Sequence, residues 1–167
     1  MIVGKGNIGK VLIDREDVLF FASGVSDSSC TDEAQFNREK DLLNKQDFTK
    51  HLVYFSNLGV YRWDNRYIRH KKEMESLVKQ LFDSYTIIRV EVLEWAKNPT
   101  TIHNYFRRML KEEKPITIQD THRYLLSLDE FLYWVSLIPI GEKNEMNIMG
   151  NKVHVYEIYK RVKEGIL

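Results

Sequence analysis

The chain predicts an α/β fold in which helices alternate with the strands of a parallel sheet. Short apolar runs rich in β-branched and aromatic residues, such as Val18-Leu19-Phe20-Phe21, recur between longer stretches with apolar residues at helical spacing. The elements are evenly spaced, prolines number only 3, and no low-complexity linker or repeat interrupts the 167 residues, so one domain is expected.

Ile2-Val3 reads as a very short first strand, Gly4 to Gly9 as the turn after it, and Asn7 to Ile13 as a brief helix. Asp17 to Ala22 is a buried strand closed by Ser23-Gly24. Ser29, Thr31 and Asp32 offer caps for a helix from Asp32 to Lys45. His51 to Ser56 is the third strand, and Asp64 or Asn65 caps a long helix to about Phe82 with Met74, Leu77, Val78 and Leu81 as its stripe. Tyr85 to Leu93 is a fourth strand, Thr100 to Glu113 a helix, and Pro115 to Ile118 a short strand. Leu128 to Leu137 and Val155 to Gly165 close the chain as apolar or amphipathic helices.

Composition removes several functions. Lys+Arg 25 against Asp+Glu 24 leaves +1, so attraction to nucleic acid or to an anionic membrane does not organise this protein. The single Cys30 excludes an internal disulfide and a multi-cysteine zinc site, and reads as an incidental thiol. His51, His70, His103, His122 and His154 follow no metal-ligand spacing, so no metal is expected. Met1-Ile2-Val3 runs into Gly4 without a basic or long apolar leader, and the expected location is the cytoplasm.

Gly4-Lys5-Gly6-Asn7-Ile8-Gly9 matches G-x-G-x-x-G behind a strand and ahead of a predicted helix. Such glycines let the backbone turn tightly and approach a pyrophosphate, which helix N-terminal amides then hold. The acidic residue that grips a ribose at the end of a second strand is missing, because Asp14-Arg15-Glu16-Asp17 leads directly into VLFFASG. Tyr67 and Lys71 stand at i,i+4 near the start of the long helix, where an ammonium can favour a phenolate and the phenol can exchange a proton. Tyr156/Lys160 and Tyr159/Lys163 share the spacing, and read as solvated helix faces.

In order along the chain, the glycine turn, VLFFASG, HLVYFSNLGVY, YIRHK, YTIIRVEVL, THRYLLSLDEF and the tail MNIMGNKVHVYEIYKRVKEGI resemble the extended short-chain dehydrogenase/reductases, more narrowly the nucleotide-sugar epimerases, dehydratases and reductases. The resemblance implies a shortened Rossmann-like parallel sheet with flanking helices and a reduced substrate-binding portion from about residue 98 to 167. It implies an NAD(P)-dependent oxidoreductase or epimerase acting on a nucleotide-linked sugar or similar hydroxyl or ketone. The alternative is a non-catalytic nucleotide or nucleotide-sugar binder derived from one.

Carried over by residue, Gly4, Gly6, Asn7, Ile8 and Gly9 would cradle the cofactor pyrophosphate, and Ala22, Ser23 and Gly24 would line its ribose. Tyr67 would be the acid/base, and Lys71 would hold the nicotinamide ribose and bias Tyr67. Arg123 would pair with a substrate diphosphate through its guanidinium fork. Asn57 falls where the family has a catalytic Ser/Thr; it can hold a substrate oxygen but cannot relay a proton. Ser56 is expected to point to the other face, and the proline that usually follows the Ile-Ile-Arg strand is absent. The family's second and third strands are deleted. Lys5, Lys10 and Arg15 near the turn favour NADP over NAD. The helices 32–45 and 66–82 correspond to the family's dimer-forming pair, so a homodimer or higher homo-oligomer is expected.

Overall fold

A computed structural model describes residues 1–167. In chain order the first half holds β1 (Ile2–Val3), β2 (Val18–Phe21), α1 (Glu33–Leu43), β3 (His51–Asn57), a 3₁₀ turn (Leu58–Tyr61), α2 (Arg66–Leu81) and β4 (Tyr85–Val90). The second half holds β5 (Val92–Leu93), α3 (Ile102–Lys111), β6 (His122–Leu126), α4 (Leu128–Ser136), β7 (Lys143–Asn147), β8 (Asn151–His154) and α5 (Val155–Lys163).

The main sheet runs β1-β2-β3-β4-β7 with every pair parallel. All four residues of β2 and all six of β4 are buried, as strands covered on both faces require. On one face Val18, Phe20, Val53, Phe55, Ile88 and Val90 pack against Leu12 and against Phe131 and Val135 of α4. On the other, Leu19, Phe21, Leu52, Tyr54 and Ile87 meet Leu43 of α1 and Met74 and Val78 of α2. The helices start where side chains satisfy their first amides: Asp32 accepts from Ala34, Asn65 from Ile68 and Ser127 from Glu130.

A second sheet, β5-β6-β8, pairs β5 with β6 parallel and β6 with β8 antiparallel. Together with α3 and α5 it encloses its own core of Phe106, Leu125, Val153, Ile158 and Val162. The residues beyond about 98 therefore divide: this lobe stands on one side, while α4 and β7 return to the main sheet.

Five elements differ from the sequence expectation. Residues 7–11 form turns and 12–13 irregular chain, not a helix; their backbone bonds are Lys10 N–H to Gly6 (3.1 Å) and Val11 N–H to Ile8 (3.1 Å). Gly6 and Gly9 raise the cost of helix here, and the segment is too short to repay nucleation. Residues 115–118 pair with nothing, since Pro115 lacks a donor, and the strand lies instead at β6. The fourth strand breaks at Glu91, whose carboxylate accepts from the Tyr124 amide (3.1 Å) and pairs with Arg62 (2.6 Å), so Val92 and Leu93 join the second sheet. Finally, β7 and β8 were not foreseen. They are polar strands with most residues exposed or half-buried.

Candidate functional site

The carboxyl ends of parallel strands are where ligands settle in open α/β sheets. Here β2 runs out into Ala22-Ser23-Gly24, β3 ends on Asn57 and β4 gives way to Glu91. Two adjoining cavities open above them. The smaller, about 180 Å³, is walled by Gly6, Asn7, Ile8, Ala22, Gly24 and Lys71 among others. The larger, about 460 Å³, is walled by Trp63, Tyr105, Gln119 and Arg123 with parts of α3. Ser26, Asn57, Tyr67, Glu91 and Thr101 line both.

The three glycines of the turn do different work. Gly4 has φ +122°, and a Cβ there would collide with the Ala22 carbonyl oxygen; a Cβ on Gly9 would collide with the carbonyl oxygen of Gly4. Those two glycines fold the turn against β2 and against itself. A Cβ on Gly6 would meet nothing closer than Ala22 O at 4.0 Å, so this backbone stays open to the cavity. Asn7 holds the turn over the cleft: its side chain donates to Asn98 Oδ1 (2.7 Å) and accepts from the Lys97 amide (3.1 Å). Ser23 lies outside both cavity walls, held by Arg38, which donates to its carbonyl (2.9 Å) and hydroxyl (3.3 Å).

Tyr67 and Lys71 sit on the buried face of α2, and both are almost wholly enclosed, at 5% and 2% exposure. The Lys71 ammonium lies 5.7 Å from the centre of the Tyr67 ring. It donates to Tyr54 Oη (3.1 Å) and Glu39 Oε1 (3.3 Å). Glu39, fully buried on α1, also accepts from the Val25 amide (2.7 Å), the Tyr54 hydroxyl (2.9 Å) and His70 Nε2 (2.8 Å). Burial alone would raise the Glu39 carboxyl; the Lys71 charge, the His70 ring and the Val25 amide outweigh it and hold it at about 2. Burial pushes the Tyr67 phenol well up, the Glu39 charge adds to that, and a hydrogen bond with Asn57 opposes it. Lys71 is thus matched by a carboxylate of its own, and Tyr67 holds its proton at neutral pH. Ser56 turns to the other face as expected, donating to Glu75 Oε1 (2.6 Å).

Arg123 lies on β6, its guanidinium 5.0 Å from the centre of the Trp63 ring and its Nε 3.7 Å from Glu91 Oε1. Arg62 stacks on the same ring at 4.9 Å. No group of three or more His, Cys, Asp or Glu side chains is placed to hold a metal.

Two of these residues were not singled out from the sequence. Glu39 carried a signal: Phe36, Glu39 and Leu43 fall on one face of α1, so a carboxylate interrupts the apolar stripe. Glu91 carried a weaker one, as a second charge after Arg89 in the run Tyr85 to Leu93.

The residues present fit the nicotinamide-riboside half of an NAD(P) molecule. Open backbone at Gly6 and the Lys71 amine face one cavity, and Tyr67 stands at its joint with the next. For the adenosine half they offer less, since no helix follows the turn and no strand lies beyond β1.

A parallel sheet with helices on both faces and a cleft at its carboxyl edge defines a Rossmann-like protein, with the fold of the extended short-chain dehydrogenase/reductases that the sequence resembles. Among solved structures it is similar to the Bordetella bronchiseptica enzyme WbmG in complex with NAD and UDP (TM-score 0.64, 16% identity, 90% of this chain, 56% of that one). Others are dTDP-4-dehydrorhamnose reductase from Bacillus anthracis in complex with NADP (0.64, 16%, 89% and 62%) and a UDP-galactose 4-epimerase (0.63, 16%, 90% and 62%). At these identities the likeness establishes the fold, and the chain spans about three-fifths of the length of these relatives. No protein-family model and no curated protein matches the sequence. No helix is long and apolar enough to cross a membrane.

Proposed function

We propose that the chain is an NAD(P)-dependent oxidoreductase or epimerase of a nucleotide-linked sugar or similar ketone or alcohol, with Tyr67 as its proton-transfer group. The observation that carries this reading is the place of Tyr67. It lies between a cavity walled by the glycine turn and Lys71 and a cavity of ligand-binding size walled by Trp63 and Arg123. The solved structures of similar fold include enzymes of this kind bound to NAD, NADP and UDP. A nicotinamide in the smaller cavity would supply hydride exchange.

The chain's own residues do the rest. Arg123, on the wall of the larger cavity and stacked on Trp63, offers its guanidinium to a diphosphate. Asn57, whose Oδ1 accepts from the Gly59 amide (2.7 Å), lines both cavities and can donate its amide N–H to a substrate oxygen. Burial and Glu39 keep the Tyr67 phenol protonated and make it a weak acid, so it can donate a hydrogen bond to a substrate carbonyl and would release its proton only to the strongly basic oxygen that forms as hydride reaches the carbon. The reading is tested by Tyr67→Phe: turnover, followed by the absorbance of the reduced nicotinamide, should vanish while cofactor affinity changes little. Equal activity in the variant counts against it.

A second reading, a non-catalytic nucleotide-sugar binder, is favoured by Asn57 in place of a hydroxyl and by the ion pair that occupies Lys71. Nucleotide-sugar stabilisation with no nicotinamide turnover would support it. The proposed homo-oligomer would bury the outer faces of α1 and α2, which carry the pairs Lys40–Glu73 and Arg66–Glu73; light scattering reads its mass.

A further inference from the structure

We infer that the smaller cavity is a half-site: it recognises a nicotinamide mononucleotide, and the adenosine half of a dinucleotide adds nothing to binding. The inference rests on the reading above that this cavity takes a nicotinamide cofactor.

Three observations converge. First, the main sheet stops at β1, a two-residue strand paired on one side only, so no strand end lies beyond the glycine turn to meet an adenosine ribose. Second, the chain behind the glycine turn makes one turn only, closed by Lys10 N–H to Gly6 and Val11 N–H to Ile8, and leaves it at Leu12, so the summed peptide dipole of a full helix does not stand behind a second phosphate. Third, the smaller cavity is open and measures only about 180 Å³, far short of the space that would bury both nucleotide halves of a dinucleotide. What is built is the other half. Gly6 is the one glycine of the turn whose missing Cβ leaves room, and Lys71 and Tyr67 line the space below it.

A group that projects past β1 into water buries no surface and gains no directed hydrogen bond, so it brings little affinity. In a complete dinucleotide fold the pyrophosphate and adenosine ribose have dedicated contacts, and ADP-ribose retains them. Here the order is inverted. The nicotinamide mononucleotide should carry the recognition, and ADP-ribose should not be recognised.

The test is calorimetric titration of the full chain with NAD⁺, nicotinamide mononucleotide and ADP-ribose in parallel, with thermal unfolding as a second readout. The expected result is that NAD⁺ and the mononucleotide bind within about threefold of one another, while ADP-ribose neither binds nor shifts the melting temperature. Gly6→Val, which fills the open space, should abolish both nicotinamide titrations and leave the unliganded melting temperature unchanged. The wild-type comparison stands without this variant. Binding of ADP-ribose as tight as that of NAD⁺, or NAD⁺ binding more than about thirtyfold tighter than the mononucleotide, overturns the half-site and leaves the cofactor reading intact. Failure of all three ligands to bind overturns both.

Discussion

Glu39→Gln is the sharpest probe of the buried cluster beneath the site. The Glu39 carboxylate is fully buried and accepts four hydrogen bonds, from Val25, Tyr54, His70 and Lys71. Its carboxyl is held at about 2 against a usual value of 4.5, which corresponds to about 3 kcal/mol of folding stability at neutral pH. Because the folded value is depressed, this contribution is present above the unfolded value of 4.5 and is lost as pH falls through about 2. The amide substitution keeps the shape but removes the charge, leaving Lys71, whose side chain is 3% exposed, without its carboxylate. Uncompensating a buried charge in this way costs about 3–5 kcal/mol, a large share of a typical domain's stability. Urea unfolding of both proteins from neutral to acid pH should show a gap of about 3 kcal/mol that closes to about 0.5 kcal/mol near pH 2. Adding Lys71→Met to the variant should recover much of the loss, since an apolar pair replaces the stranded cation. A gap below about 1 kcal/mol at neutral pH, or one that acid leaves unchanged, would refute the reasoning.

Other outcomes follow from the same geometry. Gly9→Ala drives a Cβ into the Gly4 carbonyl, a backbone atom that cannot swing aside, and should cost about 1–3 kcal/mol by thermal denaturation; Gly6→Ala, with open space, should stay within about 0.5 kcal/mol. Arg123→Ala should weaken the binding of a nucleoside-diphosphate sugar at least tenfold, about 1.4 kcal/mol, in isothermal titration, and the residual affinity should depend less on salt.

Much of this architecture was legible in the chain itself, for physical reasons that also mark where legibility ended. β2, Leu52 to Phe55 of β3 and Ile87-Ile88 of β4 present apolar side chains to both faces, and that continuous signal survives without knowledge of the partners. The helix α2 announced its start through Asn65 and its buried side through Met74 and Val78. By contrast β7 is an edge strand built from Lys143, Asn144, Glu145, Met146 and Asn147, held in place by pairing with β4 and not by apolar content. The segment at residues 7–13 kept the helix-opening pattern but lacked the length to propagate it. In the site, Asn57, Tyr67 and Lys71 do converge on one cleft. What spacing could not show is that Lys71 already has a carboxylate partner, because Glu39 comes from another helix, 32 residues earlier.

The common wall between the two cavities has a thermodynamic meaning. Asn57, Tyr67 and Glu91 belong to both spaces, so no occupant of one can press on them without altering the surface offered to the other. Two guests in such adjoining rooms are linked, and linkage is symmetrical: whatever the first does to the affinity of the second, the second returns in equal measure.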